Sequence, residues 1–146
     1  MISRTAEYAL RAVVFLANNN EQPRTSAQIS EATQVPVDYL AKVMRELGRA
    51  KLVRSRRGLN GGFTLAADPA DINVLEVINA VDPIERIESC PLGIEGHAEL
   101  CPLHRRLDDL IATVEQAFAD TSIVELVSSP RRRNLCRFPS LRLQQT

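Results

Sequence analysis

The residues with the most chemistry to offer in this 146-residue chain fall in one short stretch, "CPLGIEGHAELCPLH", residues 90–104. It holds Cys90, His97, Cys101 and His104, and its two histidines are the only ones in the sequence. Thiolate and imidazole are the donors that borderline and soft metals prefer. The spacing Cys101-x-x-His104 lets two side chains converge on one ion, and Cys90 with His97 completes a tetrahedral set for zinc. The same donors suit an iron–sulfur cluster in which histidine raises the potential. Pro91 and Pro102 directly follow the two cysteines and stiffen the segment. Two further readings stand beside these. Cys90 and Cys101 could form a cofactor-free thiol switch, or the loop could simply bury two thiols and expose two imidazoles. Cys136, the third cysteine, reads as a bystander in a basic tail.

A second stretch, "RRGLNGGFTL" at 56–65, has the order of a β-hairpin. Basic residues lead in, a tight turn spans Gly58–Gly62, and Phe63-Thr64-Leu65 lead out. Glycine supplies the positive φ such turns need. The hairpin is either a solvated loop or a wing that touches a polyanion.

What precedes it favours the wing. Residues 5–18 predict a helix with Ala9, Leu10, Val13, Val14 and Ala17 on one face. Residues 25–34 predict a short helix capped by Thr25 or Ser26. Gln34-Val35 is the turn, and Pro36 suits the first turn of a third helix that buries Leu40, Val43, Met44 and Leu47. Three short helices and a two-stranded hairpin describe a winged helix-turn-helix, whose recognition helix enters the major groove. Asp38, Tyr39, Lys42, Arg45 and Glu46 face outward from that helix. Tyr39 and Lys42 reach base edges or phosphates, and Arg45 meets the backbone. Arg56 and Arg57 flank a turn narrow enough for the minor groove, where Gly58, Gly61 and Gly62 let the backbone approach phosphates. With Ser26, these form the candidate DNA-contacting set.

Charge follows the same division. Residues 1–66 carry ten Lys/Arg against five Asp/Glu, whereas 67–129 carry three against thirteen. Residues 130–146 carry five arginines and no acid. A basic half of this kind is the electrostatic footprint of phosphate binding. Past the wing, a helix capped near Asn73 turns Val74, Val77, Ile78 and Val81 inward. A long helix then carries Leu103, Leu107, Leu110, Ile111, Val114 and Phe118 on one stripe, and 122–127 adds a possible turn. That stripe either packs on its own domain or pairs with a second copy, which would set two recognition helices about one DNA turn apart.

At this point the chain resembles the Rrf2 family of transcription regulators. The resemblance runs from residue 2 to about 127. It rests on "SRTAEYALRAVVFLA", on "YLAKVMRELGRAKLVRSRRGLNGGFTL" and on "LEVINAVD". It implies a homodimer that binds a palindromic operator in double-stranded DNA, and a sensor of iron–sulfur status, nitric oxide, redox state or cysteine metabolism. Tyr39, Lys42 and Arg57 match positions the family uses for DNA contact. Asn60 stands where many members have another glycine, which alters the wing tip without removing it. Cluster-binding members carry three cysteines in the loop and this chain has two. Some members take a carboxylate from the first helix of the partner subunit, and Glu7 matches that position. The resemblance therefore implies a [2Fe–2S] cluster on Cys90, Cys101 and His104 with Glu7, His97 being the alternative ligand. Zinc, or no cofactor, remains the other outcome, and Glu7 could equally be a solvated first-turn carboxylate.

The expected architecture is mainly α with a small β-hairpin wing. A winged helix-turn-helix covers 1–81 (wing 52–66), a sensor loop 82–103, a dimerisation helix 104–127 and a disordered basic tail 128–146. Enzymatic activity is not expected, because Gly58–Gly62 sits in a hairpin and not between a strand and a helix, and no cleft is suggested. A protein-interaction winged helix is the competing class. The longest apolar run, "AVVFLA", is too short to span a membrane, and Arg11 breaks any signal-like segment, so a cytoplasmic protein is expected.

Overall fold

The computed structural model describes residues 1–91, 93 and 99–128. The order is α1 (Arg4–Asn18), α2 (Ser26–Thr33), α3 (Val37–Arg49), β1 (Val53–Arg56), β2 (Gly62–Leu65), α4 (Val74–Val81), α5 (Pro102–Ala119) and α6 (Ile123–Ser128). His97 and Cys136, and all of the basic tail beyond Ser128, lie outside the described residues.

Each helix of the winged domain has a local reason to start and stop. Ser3 caps α1 by accepting the Ala6 N–H at 3.1 Å. Asn18 and Asn19 end it, their side-chain amides donating to the Val14 and Phe15 carbonyls. Thr25 and Gln28 form a reciprocal capping box on α2, and Gln34 ends that helix in the left-handed region at φ 58°. Pro36 stands at the N-cap of α3, one position before the first helical residue, so it does not lie inside the first turn as expected. Its fixed φ still suits the entry. The far end of α3 is closed by the residues that follow Arg49. Lys51 takes a left-handed φ of 60°, its N–H donates to Gly48, and the Leu52 N–H donates to Leu47. That pattern closes a helix and turns the chain sharply. Buried Leu47 and Leu52 flank the turn.

The wing is antiparallel, with Val53 opposite Leu65 and Arg56 opposite Gly62. A short bridge from the segment before α2 joins it. Arg24 and Phe63 exchange N–H···O bonds at 3.0 and 2.7 Å. The core lies between the helices. Val13 and Leu16 of α1, Ile29 of α2, Leu40, Val43 and Leu47 of α3, and Val77 and Ile78 of α4 are all fully buried.

The region assigned to dimerisation, 104–127, is not one element. Pro102–Ala119 forms α5, whose entry suits Pro102 at its first position after the N-cap Cys101. The chain then breaks and returns to the winged domain. Val74 donates to Thr121, Ile123 to Ile72 and Val124 to Pro69, at 2.9, 2.8 and 3.0 Å. Ile123 is fully buried in the core. The winged domain therefore does not end at residue 81, because α6 completes it. The physical reason is that the Ile72 and Val74 strand-like backbone has free groups, which the returning segment satisfies.

No described helix is both long and apolar enough to cross a membrane.

Candidate functional site

The exposed side of α3 presents Val37, Asp38, Tyr39, Lys42, Arg45 and Arg49. The Lys42 side chain makes no ion pair or hydrogen bond among the described residues, nor do the side chains of Arg54, Arg56 and Arg57 of the wing. Arg45 lies 3.7 Å from Glu46, which also takes Arg49 at 3.2 Å. Tyr39 is more constrained than the sequence suggests. Its hydroxyl is hydrogen-bonded to Thr5 Oγ1 at 2.9 Å, and its ring meets Tyr8 edge-on, centroids 5.3 Å apart. The Arg11 guanidinium lies over Tyr8 and pairs with Glu7. Thus α1 braces Tyr39, the residue expected to reach base edges or phosphates. Ser26 is half-buried at the first position of α2.

The wing glycines have an internal reason beyond approach to phosphates. A Cβ on Gly62 would stand 2.5 Å from the Arg24 carbonyl oxygen, and Gly62 has φ +145°. A Cβ on Gly61 would stand 2.3 Å from the Arg56 carbonyl oxygen. Both residues are glycine because backbone passes where a side chain would be. Asn60 occupies the left-handed region at φ 62°, which asparagine tolerates, so the wing tip survives without a third consecutive glycine.

Arg24 is the residue that sequence reasoning missed. Its backbone carries the wing bridge, while its Nε is buried without a hydrogen-bond partner. Arg24, Thr25, Gln28, Arg56, Leu59 and Asn60 line a groove between the wing and the start of α2. No periodicity marks such a residue. Only the bridge to Phe63 reveals it.

Elsewhere in the molecule, three expected ligands converge. His104 Nδ1 lies 3.1 Å from Cys101 Sγ and 3.7 Å from Cys90 Sγ. The three donor atoms all lie within 4.8 Å of one another, and all three residues are half-buried. Cys101 is the N-cap of α5 and His104 stands in its first turn, so the helix itself sets their spacing. Cys90 arrives on the loop after α4. Both described cysteines are free thiols. A tetrahedral ion bound at the usual Zn–S and Zn–N lengths separates its ligand atoms by about 3.6–3.8 Å. The donor set fits a metal in its chemistry, and its two thiol–imidazole separations, 3.1 and 3.7 Å, lie within about half an ångström of that spacing. Glu7 is not part of this group within the chain. It lies on α1, paired with Arg11.

The Rrf2 family model, described as an iron-dependent transcriptional regulator, matches residues 2–129. The chain belongs to the Rrf2 family. Among its Rrf2 relatives, an HTH-type regulator of Aquifex aeolicus is 30% identical over 132 residues, covering 88% of this chain and 92% of its own. The regulator NsrR of Shouchella clausii is 33% identical over 130 residues, covering 83% and 84%. The solved structure of CymR (YrzC), the global cysteine regulator of B. subtilis, superposes with a TM-score of 0.73 at 26% identity, covering 88% of this chain and 96% of CymR. This Rrf2 chain is thus a DNA-binding transcription regulator with a winged-helix fold.

Proposed function

We propose that the protein is a non-enzymatic, dimeric regulator whose operator binding is controlled by a [2Fe–2S] cluster held on Cys90, Cys101 and His104. Glu7 of the partner subunit would complete the ligand set. The observation that carries this reading is the meeting of two thiols and an imidazole at the head of α5, in a family described as iron-dependent. When bound, such a cluster supplies a one-electron redox centre that is sensitive to oxidants and to iron supply. The chain's own residues do the rest. Cys101 and His104 tie the site to α5. Cys90 ties it to the loop that leaves α4, which packs on the recognition helix side of the core. A ligand that favours one arrangement of these elements shifts the reading heads only by its differential affinity for that arrangement.

Lys42, Arg45, Arg56 and Arg57 are the DNA-contacting cations of this reading, and Arg24 joins them in the wing groove, its Nη2 donating to Asn19 Oδ1 at 3.5 Å and its Nε without a partner. Each phosphate contact removed should lower the slope of log affinity against log salt by about one. Arg24→Ala and Arg57→Ala are expected to show this on a duplex carrying an operator. A wild-type protein that binds no duplex at low salt would instead favour a protein-interaction winged helix.

Zinc is the second reading. It is favoured by one observation: the three donors lie within 4.8 Å of one another, close enough to converge on a single ion. A visible absorption spectrum of protein purified without oxygen, with iron, sulfide and zinc assayed on the same sample, separates the two. Colour with iron and sulfide supports the cluster. A colourless sample with about one zinc per chain assigns a structural metal. A colourless sample that cannot be reconstituted with iron and sulfide defeats the cluster reading.

A further inference from the structure

Two of the three ligands are placed by a helix. The third, Cys90, arrives on a segment with no helix or strand of its own, residues 82–90. That segment is nevertheless anchored twice. The Ile84 N–H donates to Asn79 Oδ1 at 3.1 Å, and the Ile84 side chain packs against the core. Two residues later, Arg86 forks onto Asp108 of α5. Its Nε and Nη2 donate to the two carboxylate oxygens at 2.7 and 2.5 Å, and its Nη1 donates to Glu115 at 3.3 Å. The Ile87 N–H adds a third bond to Asp108 Oδ1 at 2.9 Å.

The placement of this clasp is what matters. Asp108 follows His104 by four residues, so both project from one face of α5, a turn apart. Ile87 precedes Cys90 by three residues. The carboxylate therefore grips the Cys90 arm one helical turn away from the imidazole that Cys90 must meet. An exposed lysine–carboxylate pair would contribute little. This one is different in kind: it is bidentate, it includes a backbone N–H, and the Asp108 side chain is only 16% exposed.

We propose that Arg86 and Asp108 are positioning residues of the metal site, holding Cys90 beside Cys101 and His104 before any metal arrives. The proposal rests on the reading that these three side chains bind a metal. A loop ligand that is already in place does not have to be ordered on binding, so affinity is higher. Groups that orient a ligand without touching the metal typically change affinity by about 10–100-fold.

The test uses the full-length protein, stripped of metal and reduced, with Co²⁺ as the probe. Affinity is read from the thiolate-to-cobalt absorption and from competition with a chelator. Asp108→Asn and Arg86→Met are expected to bind Co²⁺ about tenfold or more weakly. The positions of the cobalt bands should not move, because no ligand has been removed. The metal-free variants lose the clasp's own contribution to stability and should melt somewhat lower, but they stay folded at the assay temperature, so a tenfold loss of Co²⁺ affinity in folded protein separates positioning from unfolding. Arg86→Lys keeps the charge and loses the fork. It is the variant to read if either of the others unfolds, and a severalfold loss is expected. The exchange Arg86→Asp with Asp108→Arg should recover part of the affinity. Variants that bind Co²⁺ as tightly as wild type overturn the positioning role alone. A wild-type protein that binds no Co²⁺ overturns the metal reading, and the positioning role with it.

Discussion

Arg24 shows one residue serving two ends through separate atoms. Its main chain fixes the wing against the start of α2, while its side chain lines the groove and donates through Nη2 to Asn19. Gly62 is the complement of that arrangement, since the Arg24 backbone occupies the space of its missing Cβ. Gly62→Ala is therefore expected to destabilise the protein by about 1–3 kcal/mol, from left-handed strain together with the clash. A lower urea midpoint at an unchanged slope would show it. It should also weaken DNA binding, because the wing angle depends on the bridge. Asp108 gives a residue-scale prediction of another kind. The Arg86 guanidinium, followed by the Ile87 N–H, holds its carboxyl down from 3.8 to about 2. A depressed carboxylate contributes stability that is fully present above its ordinary value and is lost as pH falls toward the folded one. The clasp should therefore be insensitive to pH near neutrality. Melting temperature should fall between about pH 4 and pH 2, and Asp108→Asn should flatten that part of the profile.

Among the elements, α5 is the one with an unused face. Leu103, Leu107 and Leu110 are 63%, 42% and 48% exposed, while Phe118 near its other end packs against the core. The helix is thus docked on the core at its C-terminal end, while nearer Cys101 and His104 the 82–90 segment is clasped to Asp108 and the leucine face stays open. Each leucine covered would contribute on the order of 1.5–3 kcal/mol. A second copy is the occupant that the regulator reading calls for, since dimers place two recognition helices on successive turns of DNA. Leu107→Glu with Leu110→Glu should shift the protein toward monomer in sedimentation equilibrium and weaken operator binding. A variant that sediments as wild type would remove α5 from the dimer interface. Elsewhere the elements are held by local chemistry. Asn73 and Glu76 form a capping box on α4, and Ser122 donates twice to Glu125 at the start of α6, which lowers the Glu125 carboxyl from its usual range.

At the scale of the whole molecule, the winged domain and the C-terminal helices are one body. The chain leaves the winged domain at α4, forms the ligand loop and α5, and returns through α6 to bury Ile123 beside Ile72. The Cys90–Cys101–His104 cluster therefore sits on an excursion whose two ends are both tied to the winged domain. Ile123→Ala should cost about 2–4 kcal/mol in global stability, as a fully buried truncation does. Chemical unfolding followed by circular dichroism would measure it. A loss well under 1 kcal/mol would mean that α6 is only loosely attached.

The sequence by itself determined the helices, the wing and which residue types could act as ligands. Apolar residues at steps of three and four, cap residues such as Thr25 and Asn73, and glycines at the turn are local signals, and local signals survive in a string of letters. It also determined the family, because the long run through recognition helix and wing is specific. Only the tertiary structure decided which atoms meet. It brought Cys90 to His104 across fourteen residues, held Tyr39 on α1, joined Arg24 to Phe63, and closed Arg86 on Asp108. These are contacts between distant segments, fixed by how helices pack and where backbone groups must find partners. No periodicity encodes them. The same reason explains why α6 was read with the dimerisation region: its pattern shows an apolar face, and only packing shows that this face belongs to the core.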